Sequence, residues 1–299
     1  MSILKPSILA TLALALVLPA PAQVGMFGRE QLVSITKSWQ GPRDEGGRPL
    51  VPDSVLSRLK NTSAEEAWGV LRGSNYFFQF EGNWQGVHVS MEDRLVGRAV
   101  TAVFVPMRPD LNDYINENAK KEGRVGRGQN SWPIDMLKPG DVLVVDLFGK
   151  IKDGTFMGDN LATSIFAKSG TGVVIDGSLR DLSGVSEIKG MKVYVRGFDP
   201  SAIAGVTLAG INVPIRIGGT TVMPGDVVLG DPEGLTFIPP HLAEKIADVS
   251  EETQLHDEWG HTMLREGKYT PGQIDSRWTD QMQADYKTWA AEQKAKRRK

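Results

Sequence analysis

Two short stretches of this chain carry residues whose types and spacing could bind an anion and a divalent cation. The apolar run GVVID leads through Gly177 to Arg180 and Asp181, and Asp159 lies a little over twenty residues upstream, in MGDNLAT. Ligand sites of α/β proteins lie just beyond the carboxyl ends of such buried strands. We therefore expect Arg180 and Asp181 to lie at a functional site, with Gly177 giving the backbone the freedom to turn them.

The stretch around Asp159 has the features of an anion site. Residues 158–161 open a predicted helix, so their backbone N–H groups and the positive end of the helix dipole face outward together. With Arg180 as a cation and Asp159 and Asp181 as carboxylates, the set predicts a site for a small dianionic or α-keto acid held with Mg²⁺ or Mn²⁺, because hard ions prefer oxygen ligands and keep several waters. The alternative is structural: Arg180 and Asp181 could form a salt bridge within a loop, or Asp181 or Asp159 could cap a helix.

The order of elements predicts one α/β domain with a mixed sheet rather than a doubly wound parallel one, because strands alternate with helices in the middle and cluster late. Helical spacing runs from Val51 to Arg72, and YFFQF and LVGRAVTAVFVP are typical of strands. The remaining expected elements are helices at 110–121, 159–168 and 182–188, strands at 142–145 and 172–175, short strands from KVYVRG to GLTFIP, and terminal helices at 241–267 and from 271 onward.

The first 22 residues are typical of a secretory signal peptide. Lys5 is followed by an apolar run from Ile8 to Leu18 and by Ala20-Pro21-Ala22, a small-residue cleavage pattern. The run is shorter than a membrane span of about 20 residues. We expect an exported protein, periplasmic or secreted, with no stable membrane insertion after cleavage; the alternative is an uncleaved N-terminal anchor.

Composition excludes several functions. The chain has no cysteine, which excludes disulfides, thiolate chemistry and cysteine-type zinc sites. It has 34 basic and 36 acidic residues, a net charge of −2, and losing Lys5 with the leader makes this −3. So mild an acidity predicts no nucleic-acid surface. The terminal KAKRRK is interpreted as a solvated end.

Five motifs occur in an order that resembles the RraA-like family: GDVLVVD, GDNLAT, GVVIDGSLRD, NVPIRIGGTTVMPGDVVLGDPEG and FIP. The resemblance covers roughly Val51 to Lys268, and the family includes class II pyruvate aldolases acting on 4-hydroxy-4-methyl-2-oxoglutarate and 4-carboxy-4-hydroxy-2-oxoadipate. It implies an αββα sandwich with a mixed sheet, assembled as homotrimers or homohexamers with active sites between subunits. The expected organisation is a signal peptide (1–22), an extended lead-in (23–50), the aldolase domain (51–268) and a C-terminal helical tail (269–299).

The resemblance also implies roles for the residues singled out above. Asp181 would ligate the Mg²⁺ or Mn²⁺ ion, Asp159 would hold a water on it, and Arg180 would bind the keto oxygen of the substrate. The pyruvyl carboxylate would lie on the backbone amides of four successive residues, Gly158, Asp159, Asn160 and Leu161. A neighbouring subunit would add one acidic residue from near the C-terminal helix, either Asp257 or Glu258.

The implied reaction is retro-aldol cleavage of a 4-hydroxy-2-oxo acid to pyruvate. A Lewis-acidic ion and a fixed guanidinium stabilise the enolate that this cleavage leaves. Decarboxylation of oxaloacetate forms the same enolate and is an alternative for the same residues. A second alternative is the non-catalytic RraA type, which inhibits an RNA-degrading endonuclease and lacks an aspartate at the position of Asp181. A common-fold methyltransferase is not indicated, because SGTGVVID places its glycines before the strand.

Overall fold

The structure is a computed structural model that describes residues 25–124, 126 and 128–297. The predicted signal peptide at residues 1–22 therefore lies outside the described part of the chain. Among the described residues, no helix combines the length and the apolar character needed to cross a bilayer.

The described residues contain eleven strands and ten α-helices. The strands are β1 (Phe80–Glu81), β2 (Gln85–Val87), β3 (Leu95–Pro106), β4 (Asp141–Met157), β5 (Gly172–Leu179), β6 (Lys192–Phe198), β7 (Val206–Ile211), β8 (Ile215–Ile217), β9 (Thr220–Val222), β10 (Val227–Asp231) and β11 (Gly234–Ile238). The helices are α1 (Arg29–Ile35), α2 (Asp53–Leu59), α3 (Ala64–Gly73), α4 (Pro109–Lys121), α5 (Trp132–Asp135), α6 (Asp159–Ser169), α7 (Leu182–Ser186), α8 (Ala243–Arg265), α9 (Pro271–Ile274) and α10 (Asp280–Arg297).

A nine-stranded mixed sheet forms the centre of the fold. Its order is β1-β11-β10-β3-β4-β5-β6-β2, and β7 pairs with β3 beside this path. The strands β3, β4, β5 and β6 are parallel neighbours, whereas β10, β11, β1, β2 and β7 join antiparallel. The strands β8 and β9 form a separate hairpin. The mixed α/β fold with a C-terminal helical region is therefore as the sequence predicted.

Both faces of the central strands are buried, because successive side chains of a strand point to opposite faces. On one face Leu143 and Val145 of β4 join a core with residues of α4, α5 and α6. On the other face Val142 and Val144 pack with the β8–β9 hairpin. A third core joins α2, α3 and α8 to the β10 side of the sheet. Continuous apolar strands such as GVVI are what such burial requires.

The segment predicted as an extended lead-in contains the helix α1. Leu32 of α1 is buried, and the chain beyond it is tied to the sheet by Arg48. The Arg48 guanidinium donates to both carboxylate oxygens of Asp141 at 3.0 Å, and both side chains are almost fully buried. YFFQF, predicted as a strand, contributes only its last residue, Phe80, to β1.

Strand β4 is much longer than the predicted 142–145, and its pairing with β5 is irregular. Between the pairs Asp146–Asp176 and Thr155–Ser178, β4 advances nine residues while β5 advances two. The intervening residues 147–154, of which only Lys150 pairs with β5, form what we call the β4 excursion. Phe148 and Asp153 within it have positive φ values of 45° and 57°. The polar sequence GKIKDG explains why the apolar pattern gave no sign of a continuing strand.

The C-terminal helices are held together by an aromatic cluster in which the tryptophans of this region pack against one another. Trp259 of α8 lies against Trp278, with ring centroids 4.4 Å apart, and Tyr286 of α10 contacts both. His256 stacks on Trp278 at 3.8 Å. The cluster is separate from the three cores around the sheet.

Candidate functional site

The two motifs singled out in the sequence meet at one edge of the sheet. Strands β4 and β5 are parallel, and their last paired residues are Met157 and Leu179. Gly158 directly follows β4, and Arg180 directly follows β5. The Arg180 N–H donates to the Met157 carbonyl oxygen at 3.2 Å. The parallel register therefore brings GDNL and RD together.

A cavity of about 120 Å³ lies at this edge. It is lined by all the residues proposed from the sequence for this chain's own half of the site, and by others from the neighbouring loops: Asn130, Thr155, Phe156, Met157, Gly158, Asp159, Asn160, Leu161, Arg180, Asp181, Ala202 and Ile203. We call it the RD cavity. Its walls combine the start of α6, the turn after β5 and the loop after β6.

The backbone turns at Asp181. The expectation that Gly177 would provide this turn was wrong. Gly177 lies within β5, where a Cβ would come within 3.0 Å of the Leu147 Cβ, so glycine is needed there for close packing. Asp181 itself is in the left-handed conformation, with φ 55° and ψ 41°. Asp and Asn tolerate this region better than other non-glycine residues. Asp181 precedes α7 at the N-cap position, but its side chain makes no capping hydrogen bond.

The carboxylate of Asp181 rests on Gly158. A Cβ at Gly158 would lie 2.3 Å from Oδ2 of Asp181 and 3.2 Å from Nε of Arg180. The same Oδ2 lies 3.3 Å from Arg180 Nε, and the two side chains are 48% and 42% exposed. Glycine at 158 therefore lets an accessible carboxylate and guanidinium approach the start of α6.

Asp159 is the first residue of α6, and Gly158 is the N-cap. Its Oδ1 accepts the Asn160 N–H at 2.7 Å, and its carboxylate lies against Gly184 of α7, whose Cβ would be 2.9 Å from Oδ2. In this arrangement the Asn160 amide is already bonded. The Leu161 N–H, in the first turn, has no intrahelical partner and stays available to an anion.

The outer wall of the RD cavity is held by the β4 excursion. The Asp153 N–H donates to Ser201 Oγ at 2.7 Å, and the Ala204 N–H donates to the Asp153 carbonyl at 2.9 Å. The Ser201 side chain hydrogen bond lowers the pKa of the Asp199 carboxyl. These bonds fix the loop that carries Ala202 and Ile203 over the cavity.

A second cavity adjoins the first, and we call it the amide cavity. It has a volume of about 210 Å³ and shares Asn130 and Ile203 with the RD cavity. Asn112 and Asn116 of α4 and Gln129 also line it. The Asn130 side chain donates to the Phe156 carbonyl oxygen at 2.6 Å, which holds it between the two cavities.

The hydrogen bonds of the amide cavity fix which atoms face its interior. The Leu208 N–H can only donate, so the Gln129 atom 2.7 Å from it is the oxygen. Gln129 Nε2 then donates to the side-chain oxygens of Asn112 and Asn116, at 3.0 and 3.1 Å. The NH₂ groups of both asparagines have no partner among the described residues. The cavity is therefore lined by hydrogen-bond donors that suit a carboxylate.

Asp257 and Glu258 are not among the residues that line the RD cavity of their own chain. They lie on α8, which packs against α2 and α3, and Asp257 borders a groove between α3 and α8. Which of them, if either, reaches the site of a neighbouring subunit stays a prediction.

Asn112, Asn116, Asn130 and Gln129 were not predicted from the sequence. For Asn112 and Asn116 a signal existed, because residues four apart share one face of the helix predicted at 110–121. For Asn130 and Gln129 no local pattern exists, since their position depends on packing against β4 and β7.

Comparison with known proteins identifies the family of the chain. The family model described as RraA-like, Aldolase/RraA, matches residues 74–237. A protein of Halalkalibacterium halodurans named "Putative 4-hydroxy-4-methyl-2-oxoglutarate aldolase" is 30% identical over 152 residues, 48% of this chain and 71% of that protein. The 4-hydroxy-4-methyl-2-oxoglutarate aldolase of Thermus thermophilus is 31% identical over 100 residues, 33% of this chain and 60% of that protein.

Solved structures share the fold. The Streptomyces coelicolor protein RraAS2, titled an unusual member of the RNase ES inhibitor RraA protein family, superposes with a TM-score of 0.59 at 23% identity. The match covers 75% of this chain and 98% of RraAS2. An uncharacterized protein from Pseudomonas syringae gives the same TM-score at 22% identity.

Proposed function

The chain belongs to the RraA-like family, and on that premise we propose that it is a class II pyruvate aldolase, a divalent-metal-dependent lyase. Its substrate would be a 4-hydroxy-2-oxo acid, cleaved by retro-aldol reaction to pyruvate and a second carbonyl compound. The observation that carries the proposal is the juxtaposition of Arg180 and the accessible Asp181 carboxylate with the N-terminus of α6, in one cavity.

The residues present fit a hard divalent ion such as Mg²⁺ or Mn²⁺. Asp181 offers an accessible carboxylate that caps no helix, and Asp159 offers a second in the same cavity. Among the described residues no three His, Asp or Glu side chains converge on a possible ion. Mg²⁺ is suited to such a site because it is commonly held by one or two carboxylates and keeps several waters. When bound, the ion would supply a Lewis acid beside the keto group.

The chain's own groups would bind the pyruvyl part of the substrate by charge. The Leu161 N–H and the positive end of the α6 dipole favour the carboxylate. The Arg180 guanidinium, 42% exposed and beside the same helix start, would donate to the keto oxygen. Because this oxygen gains negative charge as the enolate forms, Arg180 would stabilise the transition state more than the substrate.

The bond-breaking step needs a base for the hydroxyl group on C4. That hydroxyl loses its proton, the C3–C4 bond breaks, and the electron pair forms the pyruvate enolate, which is then protonated on C3. We propose that Asp159 serves this proton transfer, directly or through one water. Its contact with Gly184 and its bond from Asn160 hold the carboxylate in place at the cavity wall.

The amide cavity supports a substrate with a second carboxylate. It adjoins the RD cavity, and its free donors are the NH₂ groups of Asn112 and Asn116. We propose that it receives the far carboxylate of a diacid such as 4-hydroxy-4-methyl-2-oxoglutarate. Oxaloacetate, whose decarboxylation gives the same enolate, is the second substrate to test.

The decisive experiment measures pyruvate release from both compounds by the purified protein, with Mg²⁺ or with EDTA. An Asp181→Asn variant serves beside the wild type, because asparagine tolerates the left-handed backbone at this position while removing the charge. We expect metal-dependent release that falls by about 10²–10³ in the variant. Silence of a folded wild type on both substrates would argue against the lyase and for a non-catalytic binding role.

We further propose that the protein works as a homotrimer or homohexamer, with Asp257 or Glu258 completing a neighbour's site. Apolar side chains near the RD cavity support this, since Leu182 and Phe198 are 41% and 39% exposed. Light scattering on the purified protein would give the mass. Asp257→Asn and Glu258→Gln would identify the contributed residue by a loss of activity with unchanged mass.

Export is a proposal that the signal-like residues 1–22 support. Cell fractionation and N-terminal sequencing of the mature protein would test it. A mature N-terminus close after Ala22 is expected, and recovery of the full chain from the cytoplasm would contradict export.

A further inference from the structure

A third cavity, of about 210 Å³, shares no lining residue with the candidate site. Its walls come from residues 35–39 after α1, from Tyr76 and Gln79, from the turn between β9 and β10, and from residues 239–241. The family match covers 74–237, so the walls at 35–39 and 239–241 lie outside it. This cavity is therefore built in part by flanks that the family match does not include.

Aromatic rings dominate two sides of the cavity. Tyr76 and His241 lie with ring centroids 5.9 Å apart, and the Tyr76 hydroxyl is 3.4 Å from His241 Nε2. Trp39 presents its ring, because its indole N–H already donates to the Pro42 carbonyl oxygen at 2.8 Å. Burial lowers the pKa of His241, which favours the neutral imidazole. We call this space the aromatic cavity.

A buried carboxyl group, Asp226, faces the aromatic cavity. The side chain is 2% exposed and is among the lining residues. Its Oδ2 accepts the Met223 N–H at 2.8 Å and so closes the turn between β9 and β10. Its Oδ1 has no hydrogen-bond partner in the described chain. Because Asp226 lines the cavity, this oxygen is open to a ligand there. Burial raises the pKa of Asp226 to about 8.

Gln79 offers a second acceptor to the cavity. Gln79 Nε2 donates to the Phe237 carbonyl oxygen at 2.8 Å, which leaves the Gln79 side-chain oxygen as a free acceptor. The Thr36 hydroxyl donates to the Leu32 carbonyl and accepts from Arg43, so its own proton is used. No Lys or Arg is among the described residues that line the cavity. The hydroxyl groups of Ser38 and Thr221 can either donate or accept. A ligand that carries hydrogen-bond donors is therefore complementary to Asp226 Oδ1 and to the Gln79 side-chain oxygen.

We propose that the aromatic cavity binds a small organic cation, a primary ammonium group carried on a compact apolar body. The ammonium would donate to Asp226 Oδ1, and the body would lie against Trp39, Tyr76 and His241. Cations are attracted to aromatic faces, most strongly when they are desolvated. The volume equals that of about seven water molecules in the liquid, which sets the size of the ligand.

The test uses three probes of similar shape and different charge: benzylamine, benzyl alcohol and benzoate. Calorimetric titrations of the intact protein are made just above pH 8, where Asp226 can ionise and the amine is still protonated. We expect saturable binding of benzylamine at this cavity, at least about tenfold tighter than that of benzyl alcohol, because the alcohol lacks the positive charge of the hydrogen-bond donor. Benzoate should not bind there, because its negative charge is repelled by the Asp226 carboxylate. Equal affinity for the amine and the alcohol would overturn the proposal, as would no saturable binding of the amine.

Variants locate the binding. Asp226→Asn keeps an oxygen for the Met223 N–H and removes the charge, so benzylamine affinity should fall at least about tenfold. Asp275→Asn, at an exposed position, should leave it unchanged. If Asp226→Asn does not fold, the NMR resonance of the Trp39 indole locates the binding site instead. The resonance is assigned by its absence from the spectrum of Trp39→Phe. If it does not shift when the wild-type protein is saturated with benzylamine, benzylamine binds elsewhere.

Discussion

Substituting Gly158 by alanine should abolish most of the proposed activity while leaving the fold intact. The added Cβ would lie 2.3 Å from Asp181 Oδ2, whereas an ordinary contact needs at least 3.4 Å. The carboxylate would have to retreat by about 1.1 Å, and a misplacement of about 1 Å can cost 10²-fold in rate. We therefore expect kcat/KM to fall by about 10², which corresponds to about 2.7 kcal/mol of transition-state stabilisation.

Stability should change little in this variant. Gly158 has φ −113° and ψ −164°, a conformation that alanine adopts without strain. The displaced group is the end of an exposed side chain, so the free energy of unfolding should stay within about 1 kcal/mol of wild type. Gly69→Ala in α3 is the matched control. Nothing lies within 4 Å of its new Cβ, and it should gain about 0.5–1 kcal/mol with unchanged activity.

The assay is pyruvate release with Mg²⁺, combined with urea unfolding of each variant. A double-mutant cycle with Asp181→Asn identifies the cause, because residues in contact are not additive. In the Asp181→Asn background, Gly158→Ala should have little further effect on kcat/KM. Wild-type activity of Gly158→Ala, or full additivity of the two losses, would refute the reasoning that the carboxylate's position on Gly158 matters.

Three further predictions concern other parts of the molecule. Asn116→Ala should raise KM for a diacid substrate by about tenfold through loss of one carboxylate donor, with a smaller effect on a monoacid analogue; equal effects on both would contradict the role of the amide cavity. Trp259→Ala should lower the free energy of unfolding, measured by thermal unfolding, by about 3–5 kcal/mol, because this side chain is 1% exposed. Trp68→Ala should lower it by about 1 kcal/mol or less, because Trp68 is 45% exposed. The pKa of Asp226 is about 8 in the folded protein and 3.8 in the unfolded chain, so the folded protein should lose stability as the pH rises from about 4 toward 8. In Asp226→Asn the free energy of unfolding, measured with urea, should decline less over this pH range. A decline as steep as in the wild type would contradict the raised pKa of Asp226.

The sequence predicted the charged end of the site well because its cause is local. An uninterrupted apolar run such as GVVI must be buried on both faces, and only a central parallel strand provides that. The residues just after it, Arg180 and Asp181, then have to emerge at the carboxyl edge. The sequence grouped GDNL with them by the types of their residues, and the structure brings GDNL beside them because β4 and β5 are parallel neighbours.

The parts that the sequence did not predict depend on long-range packing. The left-handed conformation of Asp181 accompanies the contact of its carboxylate with Gly158, the N-cap of α6, which lies more than twenty residues away in the sequence. The amide cavity needs Gln129 to be oriented by the Leu208 N–H of β7, far along the chain. No window of neighbouring residues contains such information.

The β4 excursion supports the outer wall of the RD cavity independently of the charged end of that cavity. It holds the loop of Ala202 and Ile203 through Asp153, yet it contributes no side chain to the charged end of the RD cavity. The Lys150–Gly177 pair and the hydrogen bond from Ser178 to the Ile151 carbonyl oxygen hold β5 in register, whereas Phe148, Gly149 and Lys152 are exposed. For the lyase proposed above, these three exposed positions are where the surroundings of the outer wall can vary without disturbing the charged end of the cavity.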